Sequence, residues 1–294
     1  MGEGDTERPR IGLALSGGGA LGIAHIAVLK VLHEFGVVPD YVGGTSAGAM
    51  VGAVYCAGLS IEEMTRLCMS LSWNKLRRRL FPSFALYTNQ PMADYLRSIL
   101  PVHSFAELKT PLRIVATDLC TGQMVVIENE PQPLPEGLWG SEQAVSVSGD
   151  LIDAVRASCA VPIVFEPVVV AGRKLIDGGL VCSVPAGLVH QMGADIVIAV
   201  DLVRLHSLQR EPTNIAQYIL QTFAIQTNWA LKSRRIYADV VIQPEWGDIK
   251  WDDFGCSKLI YERAEAAAHE KIGDVLLKIQ AFRAQREAVA EPMR

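Results

Sequence analysis

Apolar positions along this chain follow two rhythms. Short unbroken runs alternate with longer stretches in which apolar residues recur at helical spacing. Ile11 to Leu15 is the first run, and it ends in Ser16-Gly17-Gly18-Gly19. Helical spacing follows from about Leu21 to Phe35. Val37 to Gly43 returns to a strand, and a second helix begins at Ser46. Further strand-like runs are Leu112–Thr117, Val125–Glu128, Phe165–Val170, Lys174–Ile176, Ile196–Asp201 and Val240–Gln243. Strand, glycine turn and helix in repeated order predict an α/β fold around a mostly parallel sheet. No internal repeat or low-complexity linker divides it.

Beyond Gly255 the pattern is helical. Ile272, Val275, Leu276, Ile279 and Phe282 form a stripe suited to core packing or a subunit contact. The expected partition is a polar, flexible N-terminus over residues 1–10, one domain over 11–255, and a helical extension over 256–294.

Two segments fit neither rhythm. Pro131–Gly137 is proline-rich and opens an irregular stretch, Pro131–Gln143, which reads as a surface loop or a lid. Trp73–Tyr87 interleaves Lys75, Arg77, Arg78 and Arg79 with Leu76, Leu80, Phe81, Phe84 and Leu86. It reads either as a solvated helix end or as a patch that touches anionic lipid headgroups.

Composition narrows the function. Half of the 294 residues are hydrophobic and a fifth are charged, enough for a large buried core. The formal net charge of -5 argues against nucleic-acid binding. Cys56, Cys68, Cys120, Cys159, Cys182 and Cys256 include no C-x-x-C pair and read as buried reduced thiols, not as a metal site. With no apolar leader and no apolar run of about 18 residues, a cytoplasmic protein is expected.

Two glycine motifs carry chemistry. Gly17-Gly18-Gly19-Ala20-Leu21-Gly22 satisfies G-x-G-x-x-G between a strand and a helix. A dinucleotide site would place an acid at the carboxyl end of the second strand, whereas Asp40 precedes Tyr41-Val42-Gly43. The other use of such a loop is to aim backbone N–H groups at an anion, such as the oxyanion of acyl transfer. Gly44-Thr45-Ser46-Ala47-Gly48 fits G-x-S-x-G, in which a serine projects from a strained strand–helix turn. Adjacent strand–helix units would put both motifs at the same edge of the sheet.

A nucleophilic serine needs a base. None of His25, His33, His103, His190, His206 and His269 sits in the context of a catalytic histidine. His25, one helical turn past the glycine loop, is placed to orient that loop or simply to pack. Asp177, in Ile176-Asp177-Gly178-Gly179, ends a short strand with its carboxylate uncovered by neighbouring side chains. It suits a base acting directly on Ser46, provided burial raises its proton affinity. Asp-Gly-Gly suits a hairpin turn equally well.

Together these residues resemble the patatin-like phospholipase family. The resemblance rests on Gly17–Gly22, on Gly44–Gly48 and on Asp177-Gly178-Gly179, in that order. Leu112–Leu119, Ala154–Pro162 and Gly193–Asp201 are similar to family segments as well, so the likeness runs from about Ile11 to Asp201. It implies a three-layer α/β/α fold and a serine–aspartate dyad, Ser46 and Asp177, working without histidine, metal or cofactor. It also implies an oxyanion hole from Gly17, Gly18, Gly19 and Ala47, with Gly22, Gly44, Gly48, Gly178 and Gly179 as motif glycines. The expected activity is hydrolysis of lipid or small acyl esters, with peripheral membrane contact through Trp73–Tyr87. The alternative is a lipid-binding adaptor that keeps the fold without turnover. Two departures bear on substrate access: Ile163 follows Pro162 where the family often has glycine, and the Pro131–Gln143 segment is long.

Overall fold

The run Ile11–Leu15 becomes β1, and all five of its residues are buried. A strand this apolar on both faces belongs in the middle of a parallel sheet covered by helices on each side. The structure, a computed structural model, describes residues 8–80, 85–134, 144–202 and 237–290, with a few positions between 211 and 225. The other strands are β2 (Tyr41–Thr45), β3 (Arg78–Arg79), β4 (Tyr87–Thr88), β5 (Leu112–Asp118), β6 (Met124–Glu128), β7 (Ala144–Ser148), β8 (Val168–Val170), β9 (Arg173–Asp177), β10 (Ile196–Val200) and β11 (Val240–Ile242). The helices are α1 (Ile23–Glu34), α2 (Ala47–Cys56), α3 (Ile61–Met69), α4 (Trp73–Leu76), α5 (Gln90–Ile99), α6 (Leu151–Ser158), α7 (Ala186–Gln191) and α8 (Ser257–Ala290).

The main sheet runs β11-β10-β1-β2-β5-β6-β7. Pairing is parallel from β11 to β5, antiparallel between β5 and β6, and parallel again between β6 and β7. The sheet is therefore mostly parallel, and the fold is α/β with helices on both faces. The faces are unequal. α7 packs on one through Val189, which lies where a Cβ on Gly12 or Gly43 would sit, 2.6 Å away in the case of Gly43. Bare backbone at both positions lets α7 approach. α1, α2 and the helices around them cover the other face, where Leu13, Leu15, Leu29 and Ile114 are fully buried. Each such side chain contributes about 1.5–3 kcal/mol.

α8 packs along α1 with Ile260, Ala264, Ala268, Ile272 and Val275 buried. Leu276, Ile279 and Phe282 are partly buried against the same core.

β5 decides where the chemistry goes. β6 occupies one of its edges across Ile114–Thr117. The other edge is shared: β2 pairs with Leu112–Val115 in parallel, and β9 pairs with Ala116–Asp118 in antiparallel. β2 and β9 thus approach each other head-on.

Some expectations are revised. β7 was not expected, because Ala144-Val145-Ser146-Val147-Ser148 is a half-buried strand next to the loop and has a weak apolar signal. Cys120 is exposed, not buried, because it sits in the turn capped by Asp118. The β8–β9 hairpin turns at Ala171 and Gly172, both at positive φ (50° and 74°), and not at Asp177. Most of the Pro131–Gln143 segment, and residues 81–84 of Trp73–Tyr87, lie outside the described residues.

Candidate active site

Ser46 follows β2 directly and caps α2, with φ 53° and ψ −120°. A non-glycine residue in this region carries strain of about 1–3 kcal/mol, and tight packing has to hold it there. A Cβ on Gly48 would run into the Leu15 carbonyl, and one on Gly44 would lie 2.6 Å from the Gly48 carbonyl. Only glycines let the first turn of α2 sit this close to the ends of β1 and β2.

Hydrogen bonds complete the clamp. The Ser46 N–H donates to Ser158 Oγ at 2.8 Å, and Ser158 Oγ donates to the Val115 carbonyl at 2.5 Å. Ser158 is fully buried at the end of α6, and it braces the turn from below. Sequence reasoning passed it over. The only signal was a hydroxyl in the otherwise apolar string Ala157-Ser158-Cys159-Ala160.

The glycine loop is bound to the same turn through Ser16. The Ser16 carbonyl accepts from Gly48 N at 3.1 Å and from His25 Nε2 at 2.9 Å. Because a carbonyl only accepts, His25 carries its proton on Nε2. Complete burial lowers its pKa to about 4, so the ring is neutral. His25 holds the loop. It does not line the cavity above Ser46, and neither does any other histidine among the described residues. His206 lies outside them.

The loop's N–H groups divide. Gly17 N donates to the Ser183 carbonyl at 3.2 Å and is already engaged, unlike the expectation that it joins the oxyanion hole. Gly18 N, Gly19 N and Ala47 N have no acceptor among the described residues, and all three residues line the cavity. Gly19 has φ 59°, and a Cβ there would lie 2.8 Å from the Trp251 ring. A Cβ on Gly22 would meet Ala47 Cβ at 2.7 Å, so this glycine sets the loop against α2.

Asp177 ends β9 and faces Ser46 across the gap between the two strands. Its backbone is pinned by Ala160 O at 3.0 Å and by Thr117 Oγ1 at 2.8 Å. A Cβ on Gly178 would strike the Val115 carbonyl, so only glycine lets the chain turn there. Oδ1 accepts from Gly179 N at 2.7 Å. Oδ2 is buried and meets no donor at hydrogen-bonding geometry. Burial raises the pKa to about 6, against smaller opposing effects of the Ser46 hydroxyl and the Gly179 N–H. Ser46 and Asp177 are each 7% exposed. Cys159 lines the same cavity, and burial together with the Asp177 charge raises its pKa, which keeps it a thiol.

The cavity holds about 300 Å³. It starts at Ser46 and Asp177 and continues along α2 between apolar side chains of α3 and α5. Trp73, Trp251 and Phe254 stand at its side, packed edge to face. Among the described residues no group of three or more His, Cys, Asp or Glu is placed to hold a metal ion. No described helix is long and apolar enough to cross a membrane.

A strained serine, a buried carboxylate and unengaged N–H donors around one apolar cavity on an α/β sheet define a class of arrangement suited to acyl transfer. The family model for patatin-like phospholipase matches residues 13–190, a span that contains every one of these groups. The chain belongs to the patatin-like phospholipase family. An NTE family protein of Mycobacterium tuberculosis is 34% identical over 200 residues, covering 67% of this chain and 50% of that one. Human patatin-like phospholipase domain-containing protein 6 is 28% identical over 251 residues, which is 82% of this chain and 16% of that one. This chain thus spans half or less of the curated relatives it matches. The crystal structure of VipD from Legionella pneumophila superposes with a TM-score of 0.54 at 14% identity, covering 90% of this chain and 67% of that one, a likeness of fold.

Proposed function

We propose that this protein is a lipid acyl hydrolase of phospholipase A or lysophospholipase type, with Ser46 as nucleophile and Asp177 as general base. The observation that carries the reading is Asp177 Oδ2, a buried carboxylate oxygen with no donor at full hydrogen-bonding geometry, while the hydroxyl of the strained Ser46 is close enough to act on the carboxyl's pKa. An unpartnered buried acceptor is costly, and a site retains one when a proton has to arrive there.

Ser46 Oγ attacks the ester carbonyl carbon while its proton passes to Asp177 Oδ2. The negative charge that forms on the carbonyl oxygen is held by the N–H groups of Gly18, Gly19 and Ala47. Losing one such donor typically costs about 3–4 kcal/mol of barrier lowering. The tetrahedral adduct collapses, the leaving alkoxide takes the proton from Asp177, and Ser46 remains acylated. A water then gives its proton to Asp177 and attacks the acyl carbon. On the second collapse Ser46 Oγ recovers the proton. A pKa of about 6 leaves Asp177 roughly nine-tenths ionised at pH 7, yet basic enough to take a proton in the transition state.

The apolar cavity supports an acyl chain as the ligand. Lys75, Arg78 and Arg79 are exposed beside Trp73, and Leu86 is half exposed, which favours contact with an anionic lipid surface at this rim. Arg77 stacks over Trp73 and Tyr87 with its Cζ 4.6 and 4.1 Å from the ring centroids, which stiffens the patch.

A fluorophosphonate probe tests the nucleophile. The protein is expected to be labelled, Ser46→Ala is expected not to be, and Asp177→Asn is expected to lose hydrolysis of p-nitrophenyl butyrate. A protein that binds lipid but is neither labelled nor active would be an adaptor. Vesicle sedimentation tests the rim: binding to phosphatidylglycerol vesicles, but not to phosphatidylcholine vesicles, is expected to fall in an R78E/R79E variant.

A further inference from the structure

We propose that Leu67 and Ile99 form the floor of the cavity and set the length of acyl chain the protein accepts. The inference rests on the acyl-hydrolase reading and assigns that site its chain-length specificity.

The geometry is that of one helix passing two cavities. α2 leaves Ser46 and presents Met50, Val51 and Val54 to the cavity above the serine. From Ala47 to Val54 the helix advances about 11 Å, at about 1.5 Å per residue. Just past its end, Ala57, Gly58 and Leu59 border a second, open cleft. That cleft has a mixed lining, in which Glu63, Arg66, Glu107 and Lys109 stand among apolar residues such as Leu59, Pro101 and Val102. Among the described residues, Leu67 and Ile99 alone border both spaces. Leu67 comes from α3 and Ile99 is the last residue of α5, and both are half-buried. Leu67 and Ile99 therefore separate an apolar lining on the serine side from an open cleft that carries four charged side chains.

This boundary has an energetic consequence. Each methylene that moves from water into apolar lining improves binding about fourfold. A methylene that passes into the open, partly charged cleft stays in contact with water and gains less. An extended chain advances roughly 1.2 Å per bond, so about 11 Å accommodates roughly nine bonds. Affinity should climb with chain length up to medium acyl chains and then level off.

The test uses the full chain and two readouts. The first is kcat/KM across p-nitrophenyl esters from butyrate to palmitate. The second is the thermal shift given by saturated fatty acids over the same lengths, which needs no turnover. L67A/I99A is expected to move the optimum in both series toward longer chains, with at least a tenfold gain on palmitate. Ile99→Phe is expected to move it toward shorter chains. Each variant's length profile is read relative to its own rate on butyrate, which also shows that the variant is folded. Unchanged optima in both series, in variants that still hydrolyse butyrate, would overturn the proposal. Absence of labelling and hydrolysis in the wild type would sink the acyl-hydrolase reading instead. The fatty-acid series would still decide the floor, since variants that leave its length profile unmoved overturn the proposal.

Discussion

Thr45 and Asp177 lie against consecutive residues of one strand: Thr45 opposite Val115, and Asp177 opposite Ala116. Two strands that run toward each other along a single edge of β5 stop one residue apart. Ser46 turns away from the end of one, and the Asp177 carboxylate stands at the end of the other. Their meeting is a matter of sheet register, and it brings together residues far apart in the chain.

The protonation of Asp177 has two measurable consequences. The base must be ionised, so kcat/KM is expected to rise with pH through an inflection near 6 and then level off. Because its folded pKa is raised, its contribution to stability is complete below about pH 4 and is lost as pH rises through about 6. The loss is about 3 kcal/mol at pH 8. Asp177→Asn is therefore expected to abolish activity and to raise Tm by several degrees at pH 8, with no gain at pH 4. Thermal melts at the two pH values check the sign.

His25 acts in the opposite direction over nearly the same range. Its folded pKa is lowered, so acid favours the unfolded chain. About 3 kcal/mol is lost as pH falls from the ordinary histidine value toward 4. In the wild type the two groups largely offset each other. In Asp177→Asn the offset is removed, and stability is expected to fall more steeply on acidification than in the wild type. Urea titrations at several pH values measure the difference.

Ser158 is a positioning residue. Ser158→Ala leaves the Ser46 N–H and the Val115 carbonyl without this partner, at a cost of about 2 kcal/mol in stability. The turn that presents Ser46 loosens, so kcat is expected to fall at least tenfold while the inflection near pH 6 stays in place. A displaced inflection would mean that Ser158 acts on Asp177 and not on the serine.

Ile163 has φ 72°. A β-branched residue is poorly suited to that conformation. The segment is held there because Ile163 O and Val164 O accept from Leu86 N and Tyr87 N, each at 2.9 Å. Ile163→Gly is expected to raise stability by about 1 kcal/mol, the relief of strain outweighing the added freedom of the unfolded chain. A fall in Tm would show that the packing of the Ile163 side chain outweighs the strain.

What depends on neighbours along the chain is legible in the sequence. The strand–helix alternation, the two glycine motifs and the strained serine are local requirements of backbone geometry, and local pattern displays them. It could not choose between a base and a hairpin for Asp177-Gly178-Gly179, because spacing carries no register. Its one sign of Ser158 was a hydroxyl in an apolar string, which could not reveal a brace, since a buried hydroxyl gains its role from the groups folded against it. Tertiary structure decided these matters by pairing β2 and β9 with the same edge of β5. That pairing buries the Asp177 carboxylate beside Ser46, and burial raises its proton affinity, as the proposed role of base requires.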